Sequence, residues 1–253
     1  MTDLTGRHAV VTGGGSGVGA AIAIALADAG AAVTICGRRE SPLKEVAGDR
    51  QAIAYSICDV TDQGSVEQAF EGATARSGPI DIVVANAGAA TSQPFDKMSS
   101  NDFGSMVDVN LRGVFHCWRA GVHAMKQAGW GRLIAIASTA GLKGYAYVSG
   151  YCAAKHGVVG LTRALAQELA KTGVTVNAVC PGYTETPMLH QALDNITAKT
   201  GCSRDQAIAT LQAANPQGRF IQPAEVANSV LWLCGEESRS VTGQAISISG
   251  GEI

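Results

Sequence analysis

His8-Ala9-Val10-Val11-Thr12-Gly13-Gly14-Gly15-Ser16-Gly17-Val18-Gly19, followed by the Ala-, Ile- and Leu-rich run Ala20 to Ala29, is the stretch that decides the fold. His8 to Thr12 reads as a short buried strand. The glycines follow at once, and Val18 to Ala29 has helical character. A strand, a glycine-rich turn and a helix open a dinucleotide-binding α/β sheet. Glycines let the backbone approach a pyrophosphate, and the helix N-terminus presents unpaired N–H groups to it. The spacing Gly13-x-x-x-Gly17-x-Gly19 is not a strict G-x-G-x-x-G. His8 to Ala27 lacks Asp, Glu, Lys and Arg, as a membrane span would. The glycines and the change from strand to helix argue against a span.

The same alternation continues along the chain. Strands are expected at Ala9–Thr12, Ala32–Cys36, Ala52–Ile57, Ile82–Ala85, Arg132–Ala137, Thr175–Val179 and Ala245–Ile248. Helices are expected at Val18–Ala29, Gly64–Arg76, Asn101–Lys126, Tyr151–Lys171 and Pro223–Cys234. Strand–helix alternation with right-handed crossovers gives an α/β, Rossmann-type, doubly wound parallel sheet of about seven strands with helices on both faces. With no polar linker in 253 residues, 1–253 reads as one catalytic domain. Ligands of such sheets sit beyond the carboxyl ends of the strands. Thr12, Cys36, Asp59, Asn86, Ser138 and Pro181 all lie at or just after expected ends.

Composition narrows the function classes. A net charge of −2 offers no electrostatic hold on nucleic acid or an acidic membrane. The seven cysteines contain no C-x-x-C pair and read as small buried residues of a reducing, cytoplasmic compartment. Met1-Thr2-Asp3-Leu4 lacks the positive opening of a signal peptide. His116 and His123 could share a helix face, but no carboxylate or Cys completes a metal set, so no metal is expected.

Tyr151 and Lys155, at i and i+4, share one face of a helix and can point into one site. A phenol titrates near 10 and is a poor acid–base group at neutral pH; a nearby fixed positive charge brings it toward the working range. Ser138, at the end of an apolar run, adds a hydroxyl that could hold a substrate oxygen beside the phenol.

Thr12-Gly13-x-x-x-Gly17-x-Gly19, Asn86-Ala87-Gly88, Asn110, Ser138, Tyr151-x-x-x-Lys155 and Pro181-Gly182-Tyr183-Thr184-Glu185-Thr186 stand in the order and spacing of the short-chain dehydrogenase/reductase family, which the chain resembles from about His8 to Gly251. The segments around Tyr151 to Gly160 and Val176 to Gly182 most resemble its β-ketoacyl and polyketide ketoreductases. The resemblance implies that Tyr151 donates a proton to the substrate oxygen and Ser138 hydrogen-bonds it. Lys155 lowers the phenol pKa and holds the nicotinamide ribose, and Asn110 holds a water that resupplies the proton. It further implies a cofactor cradle of Gly13, Gly15, Ser16, Gly17, Val18, Gly19, Asp59, Val60, Asn86, Ala87, Gly88, Tyr151, Lys155, Pro181, Gly182, Thr184 and Thr186. Asp59 would contact the adenine, although Thr61 and Asp62 beside it suit a simple turn. Residues 183–215 read as a pair of short helices over the site, a substrate lid by resemblance.

Such folds usually place an acid at the end of the second strand to accept from the adenosine 2′-hydroxyl. Here Gly37 stands there and Arg38 and Arg39 follow. Glycine removes repulsion of a 2′-phosphate and the arginines add attraction, so the expected cofactor is NADP(H), with Arg38 the main contact and Arg39 second. The expected partner is a small-molecule carbonyl or alcohol. A 3-oxoacyl thioester fits the resemblance, while the thin basic surface (Lys126, Lys171) shifts the balance toward a coenzyme A ester or free ketone. The competing enzyme is an alcohol or hydroxysteroid-type dehydrogenase working oxidatively; a cofactor-sensing regulator would usually lack Tyr151 and Lys155. Apolar residues on more than one side of Asn101–Lys126 and Tyr151–Lys171, together with Ile253, suggest a homotetramer.

Overall fold

The computed structural model describes residues 2–253. Seven strands form one parallel sheet: β1 His8–Thr12, β2 Ala32–Gly37, β3 Ile53–Ile57, β4 Ile82–Ala85, β5 Gly131–Ile136, β6 Val174–Pro181 and β7 Ala245–Ile248. Their spatial order is β3-β2-β1-β4-β5-β6-β7, so the winding reverses between β1 and β4. The helices are α1 Gly17–Asp28, α2 Glu40–Ala47, α3 Gln63–Ser77, α4 Ser100–Val107, α5 Gly113–Ala128, α6 Ser149–Leu169, α7 Pro187–Thr200, α8 Arg204–Gln212 and α9 Pro223–Cys234.

Both faces of the sheet are apolar because both are covered, as a buried parallel sheet requires. Val10, Val83, Leu133 and Ala135 point to one face, under α3, α5 and α6. Ala9, Val11, Val84, Ile134 and Ile136 point to the other, under α1, α2 and α9. Leu189 and Leu193 of α7 meet Ala207 of α8 and Phe220 in a small separate core, so this hairpin of helices packs largely on itself.

Two expectations are corrected. The sequence suggests no helix between β2 and β3, yet Glu40–Ala47 is helical. Leu43 and Ala47 supply its buried stripe at i and i+4, a signal that is legible but short. The helix expected over Asn101–Lys126 is interrupted by a π-turn at Asp108–Arg112. The cause is Asn110, whose Nδ2 donates to the Met106 carbonyl four residues back at 3.0 Å and so competes with the helical ladder. Inserted π-turns are frequent at functional sites.

Candidate active site

The glycine turn lies at the carboxyl end of β1, where the winding reverses. Gly13 adopts φ +67°, open to glycine and strained for other residues. A Cβ on Gly19 would collide with the Gly13 carbonyl and the Asn86 amide, so only a glycine lets α1 start this close to the turn. Ser16 precedes α1 in extended conformation without capping it through its side chain, which leaves the first N–H groups of α1 free for an anion. Asn86 braces the turn: its Nδ2 donates to the Thr12 carbonyl at 2.9 Å and approaches the Gly13 carbonyl at 3.3 Å. Thr12 Oγ1 in turn accepts from the Asn86 and Ala87 amides at 3.1 and 3.2 Å. The Asn86 Nδ2 is thus committed to the protein, and Thr12, expected at the end of the first strand, is a buried brace of the turn.

A cavity of about 500 Å³ opens beside this turn. Gly13, Gly15 and Ser16 line it from the turn, Arg38 and Arg39 from the end of β2, Asp59 and Val60 after β3, and Ala87 to Ala89 after β4. Arg38 and Arg39 are exposed and form no ion pair among the described residues. Gly37, without a side chain, adds no charge to the wall beside them. Asp59 Oδ1 accepts from the Thr61 amide at 2.9 Å and its hydroxyl at 2.8 Å, the turn the sequence allowed. Those bonds, with Arg38 adding its charge, hold the Asp59 carboxyl below its usual range against the effect of burial.

Gly88 joins this cavity to the four residues expected to do chemistry. A Cβ there would stand 2.8 Å from Asn110 Oδ1 and 3.8 Å from Lys155 Nζ. Asn110 is fully buried and clasps Ala89, donating to its carbonyl at 2.8 Å and accepting from its amide at 3.2 Å. Lys155 is 3% exposed and donates to the Ile136 carbonyl at 2.7 Å. Burial pushes its ammonium down to about 8. Its Nζ lies 5.6 Å from the centre of the Tyr151 ring. Burial pushes the Tyr151 phenol up to about 12, opposed by a hydrogen bond with the Ser138 hydroxyl. In the ligand-free protein, burial rather than the charge of Lys155 sets the direction of the phenol's shift. Ser138 Oγ also accepts from the Ala140 amide at 3.1 Å, capping a short 3₁₀ turn.

The third side of the site is the segment after β6. Pro181 ends the strand, and the Gly182 amide donates to the Ile248 carbonyl at 3.0 Å. Thr184 Oγ1 donates to the Gly182 carbonyl at 3.0 Å. Thr186 caps α7, accepting from the Leu189 amide at 3.4 Å and donating to the Thr184 carbonyl at 3.1 Å. Its methyl would lie 3.1 Å from a Cβ on Gly17, so the entry to α7 rests on the start of α1, next to Val18. Sequence reasoning missed Thr139, Lys143, Tyr145, Tyr183 and Glu252, which form a polar and aromatic cluster behind Ser138. Tyr145 Oη lies 2.7 Å from both Thr139 Oγ1 and Glu252 Oε1. Only the position of Tyr145 between Ser138 and Tyr151 hinted at it; nothing local connects Glu252 to that loop.

Known proteins share this arrangement. The family profile described as short chain dehydrogenase matches residues 7–197. A 3-oxoacyl-[acyl-carrier-protein] reductase FabG of Thermotoga maritima is 34% identical over 253 residues, covering 98% of each protein. A D-beta-hydroxybutyrate dehydrogenase of Rhizobium meliloti is 35% identical over 250 residues, covering 96% of this chain and 97% of that protein. A crystal structure of a variant of actinorhodin polyketide ketoreductase with NADPH has a TM-score of 0.94 and 37% identity, covering 100% of this chain and 99% of that one. Fold, order of motifs and near full-length similarity agree, and the chain belongs to the short-chain dehydrogenase family of oxidoreductases.

Proposed function

We propose that this protein is an NADPH-dependent reductase of a carbonyl, either a 3-oxoacyl thioester or a related ketone. The observation that carries the reading is the meeting of the half-buried Tyr151 phenol, the Ser138 hydroxyl and the Lys155 ammonium beside the cavity that Arg38 and Arg39 line. A phenol that keeps its proton through the neutral range is the form that reduction consumes.

The residues fit the cofactor. The free N–H groups before and within the first turn of α1, at Ser16, Gly17 and Val18, would take the pyrophosphate, with Gly13, Gly15 and Gly19 allowing its approach. Arg38 and, second, Arg39 would pair with a 2′-phosphate that Gly37 does not repel. Asp59, Val60, Ala87 and Gly88 would flank the adenosine, with Asn86 holding the turn. Pro181, Gly182, Thr184 and Thr186 would flank the nicotinamide, and Lys155 and Tyr151 its ribose. Bound NADPH supplies the hydride for the carbonyl carbon.

The chain's own part is proton transfer and polarisation. Ser138 donates a hydrogen bond to the carbonyl oxygen, and Tyr151 gives its proton to that oxygen as alkoxide character develops. Lys155, largely protonated at pH 7, then steadies the phenolate left behind. Asn110 holds the Ala89 loop and directs Oδ1 toward the space beside Lys155, where a water could return the proton. Residues 183–215, with α7 and α8 on their own small core, act as the lid.

The protein is proposed to work as a homotetramer in the cytoplasm. In support, Phe103 and Phe115 are 43% and 44% exposed, and Phe115 lines a groove with Val107, Leu111, Leu161 and Ala164 between α6 and the helical segment from α4 to α5. Met106, Val114 and Trp118 are core residues instead. All seven cysteines are free, as in a reducing compartment. No helix among the described residues is long and apolar enough to cross a membrane. NADPH consumption with matched thioesters and free ketones tests the reading; no consumption with either class, alongside alcohol oxidation by NADP⁺ at neutral pH, would reverse the assignment of direction.

A further inference from the structure

We propose that Glu252 is a positioning residue for Ser138: its carboxylate, through Tyr145 and Thr139, holds the turn that presents the Ser138 hydroxyl to the substrate. The inference rests on the proposed role of Ser138.

Glu252 lies in a tail that turns back toward the site, and its side chain is 3% exposed. Lys143 Nζ lies 2.8 Å from its Oε1 and Tyr145 Oη 2.7 Å from the same oxygen. A carboxylate only accepts, so the single phenolic proton of Tyr145 goes to Glu252. The second 2.7 Å contact of Tyr145 Oη must then be donated by the Thr139 hydroxyl. Thr139 begins the 3₁₀ turn that Ser138 caps. A chain of hydrogen bonds thus runs from a charge-paired carboxylate to the residue next to Ser138.

The carboxylate is itself held. The Gly182 amide donates to the Ile248 carbonyl at 3.0 Å, fixing the start of the tail. Gly250 sits so tightly on the Asn215 amide that a Cβ would overlap it. Asn215 is buried and locked by bonds of 2.8 Å to the Arg219 carbonyl and from the Gln217 amide. Tyr183, which leads into α7, meets the Tyr145 ring edge-on at 6.4 Å. The tail therefore spans from the loop after α8 to the Ser138 turn. Hydrogen bonds to an ionised acceptor are stronger and more directional than neutral ones, so charge, not bulk, is what Glu252 contributes.

The test compares Glu252→Gln and Tyr145→Phe in the wild-type and Ser138→Ala backgrounds, with ketone turnover and NADPH affinity measured for each. Displacing a catalytic hydroxyl by a fraction of an ångström to one ångström lowers turnover up to about 100-fold. Each substitution is expected to lower kcat by about 10- to 100-fold in the wild-type background, with NADPH affinity unchanged. In the Ser138→Ala background neither should lower kcat further, because both act through the missing hydroxyl. An equal loss in both backgrounds, or a parallel fall in NADPH affinity, would show a general structural role and overturn the proposal. If Ser138→Ala alone keeps wild-type turnover, the proposed role of Ser138 fails, and this inference with it; that outcome is separate from the first two.

Discussion

Replacing Lys155 by methionine should stabilise the ligand-free protein while disabling the enzyme. The ammonium is 3% exposed and has one hydrogen-bond partner, the Ile136 carbonyl at 2.7 Å. Burial lowers its pKa from 10.5 to about 8, which corresponds to about 3 kcal/mol of disfavoured charge in the folded state. The unfolded chain binds the proton more tightly between those values. Wild-type stability therefore rises with pH from about 8 to 10.5, and the penalty is fully present below 8. Methionine has no such term. It leaves the Ile136 carbonyl without its partner, at about 1–3 kcal/mol, but that loss does not titrate. The difference, variant minus wild type, should thus be most favourable to the variant at pH 7 and shrink by about 3 kcal/mol on going above pH 10. For a chain of this size that is a relative shift in Tm of about 6–12 °C. Urea unfolding of both ligand-free proteins at half-unit pH steps measures it. A difference that stays flat from pH 7 to 10, or that moves in the variant's favour as pH rises, would refute a desolvated ammonium at this position.

Tyr151→Phe should lower turnover by about 10²–10⁴ with NADPH binding retained, since only the proton donor is removed; near-normal kcat would remove Tyr151 from the mechanism. Arg38→Ala should weaken NADPH about 10- to 100-fold and leave NADH almost unchanged. Gly37→Asp, whose Cβ would meet Leu43 at an ordinary 3.4 Å, should shift preference toward NADH without loss of folding, as read from the ratio of kcat/KM values. kcat/KM for reduction should fall as pH rises through about 8, where free-enzyme Lys155 loses its proton, and no inflection belonging to Tyr151 should appear below that. Sedimentation equilibrium at micromolar concentration should give about four times the 25.9 kDa chain mass, and a single species at monomer mass would exclude the helix-face interface.

What was legible in the sequence was whatever depends on short-range pattern. Residues buried on both faces of a parallel sheet form continuous apolar runs bounded by glycine or polar turns, so Ile82–Ala85 and Ala245–Ile248 could be placed to the residue. Pro223 at the first turn and the apolar run to Cys234 marked α9 equally well. Residues at strand ends could be assembled into a site because the fold places all those ends on one edge. Three kinds of feature were hidden. Glu40–Ala47 is too short for its stripe to stand out. The π-turn at Asn110 arises when its side chain donates to the Met106 carbonyl, a choice between side chain and helical ladder that local pattern does not show. The effect of Lys155 on Tyr151 depends on where Nζ rests, and the i, i+4 spacing puts both on one face without fixing whether charge or desolvation prevails.

Several places where this fold departs from local preference lie around the same site. α1 starts without a side-chain cap, the helix through Asn110 takes a π-turn, an ammonium is buried at Lys155, and Tyr147 is held at φ +67° by the bond its carbonyl accepts from the Gln93 amide at 2.8 Å. Each opposes stability: an uncapped end leaves N–H groups unpaired, a left-handed tyrosine is strained, and a buried cation is desolvated. Away from the site the chain does the opposite, with capping boxes at Ser99, Ser203 and Gln222 and both sheet faces closed. Local irregularity gathered in one region is what a functional site requires, although Arg132, at the other end of β5, is a buried cation too. Three of these departures also have a use in the proposed chemistry. The free N–H groups await an anion, the π-turn brings Asn110 against the Ala89 loop, and the buried ammonium becomes favourable once a phenolate forms beside it. The desolvation that Lys155 bears in the ligand-free protein therefore keeps in place a charge whose attraction the reaction draws on when Tyr151 gives up its proton.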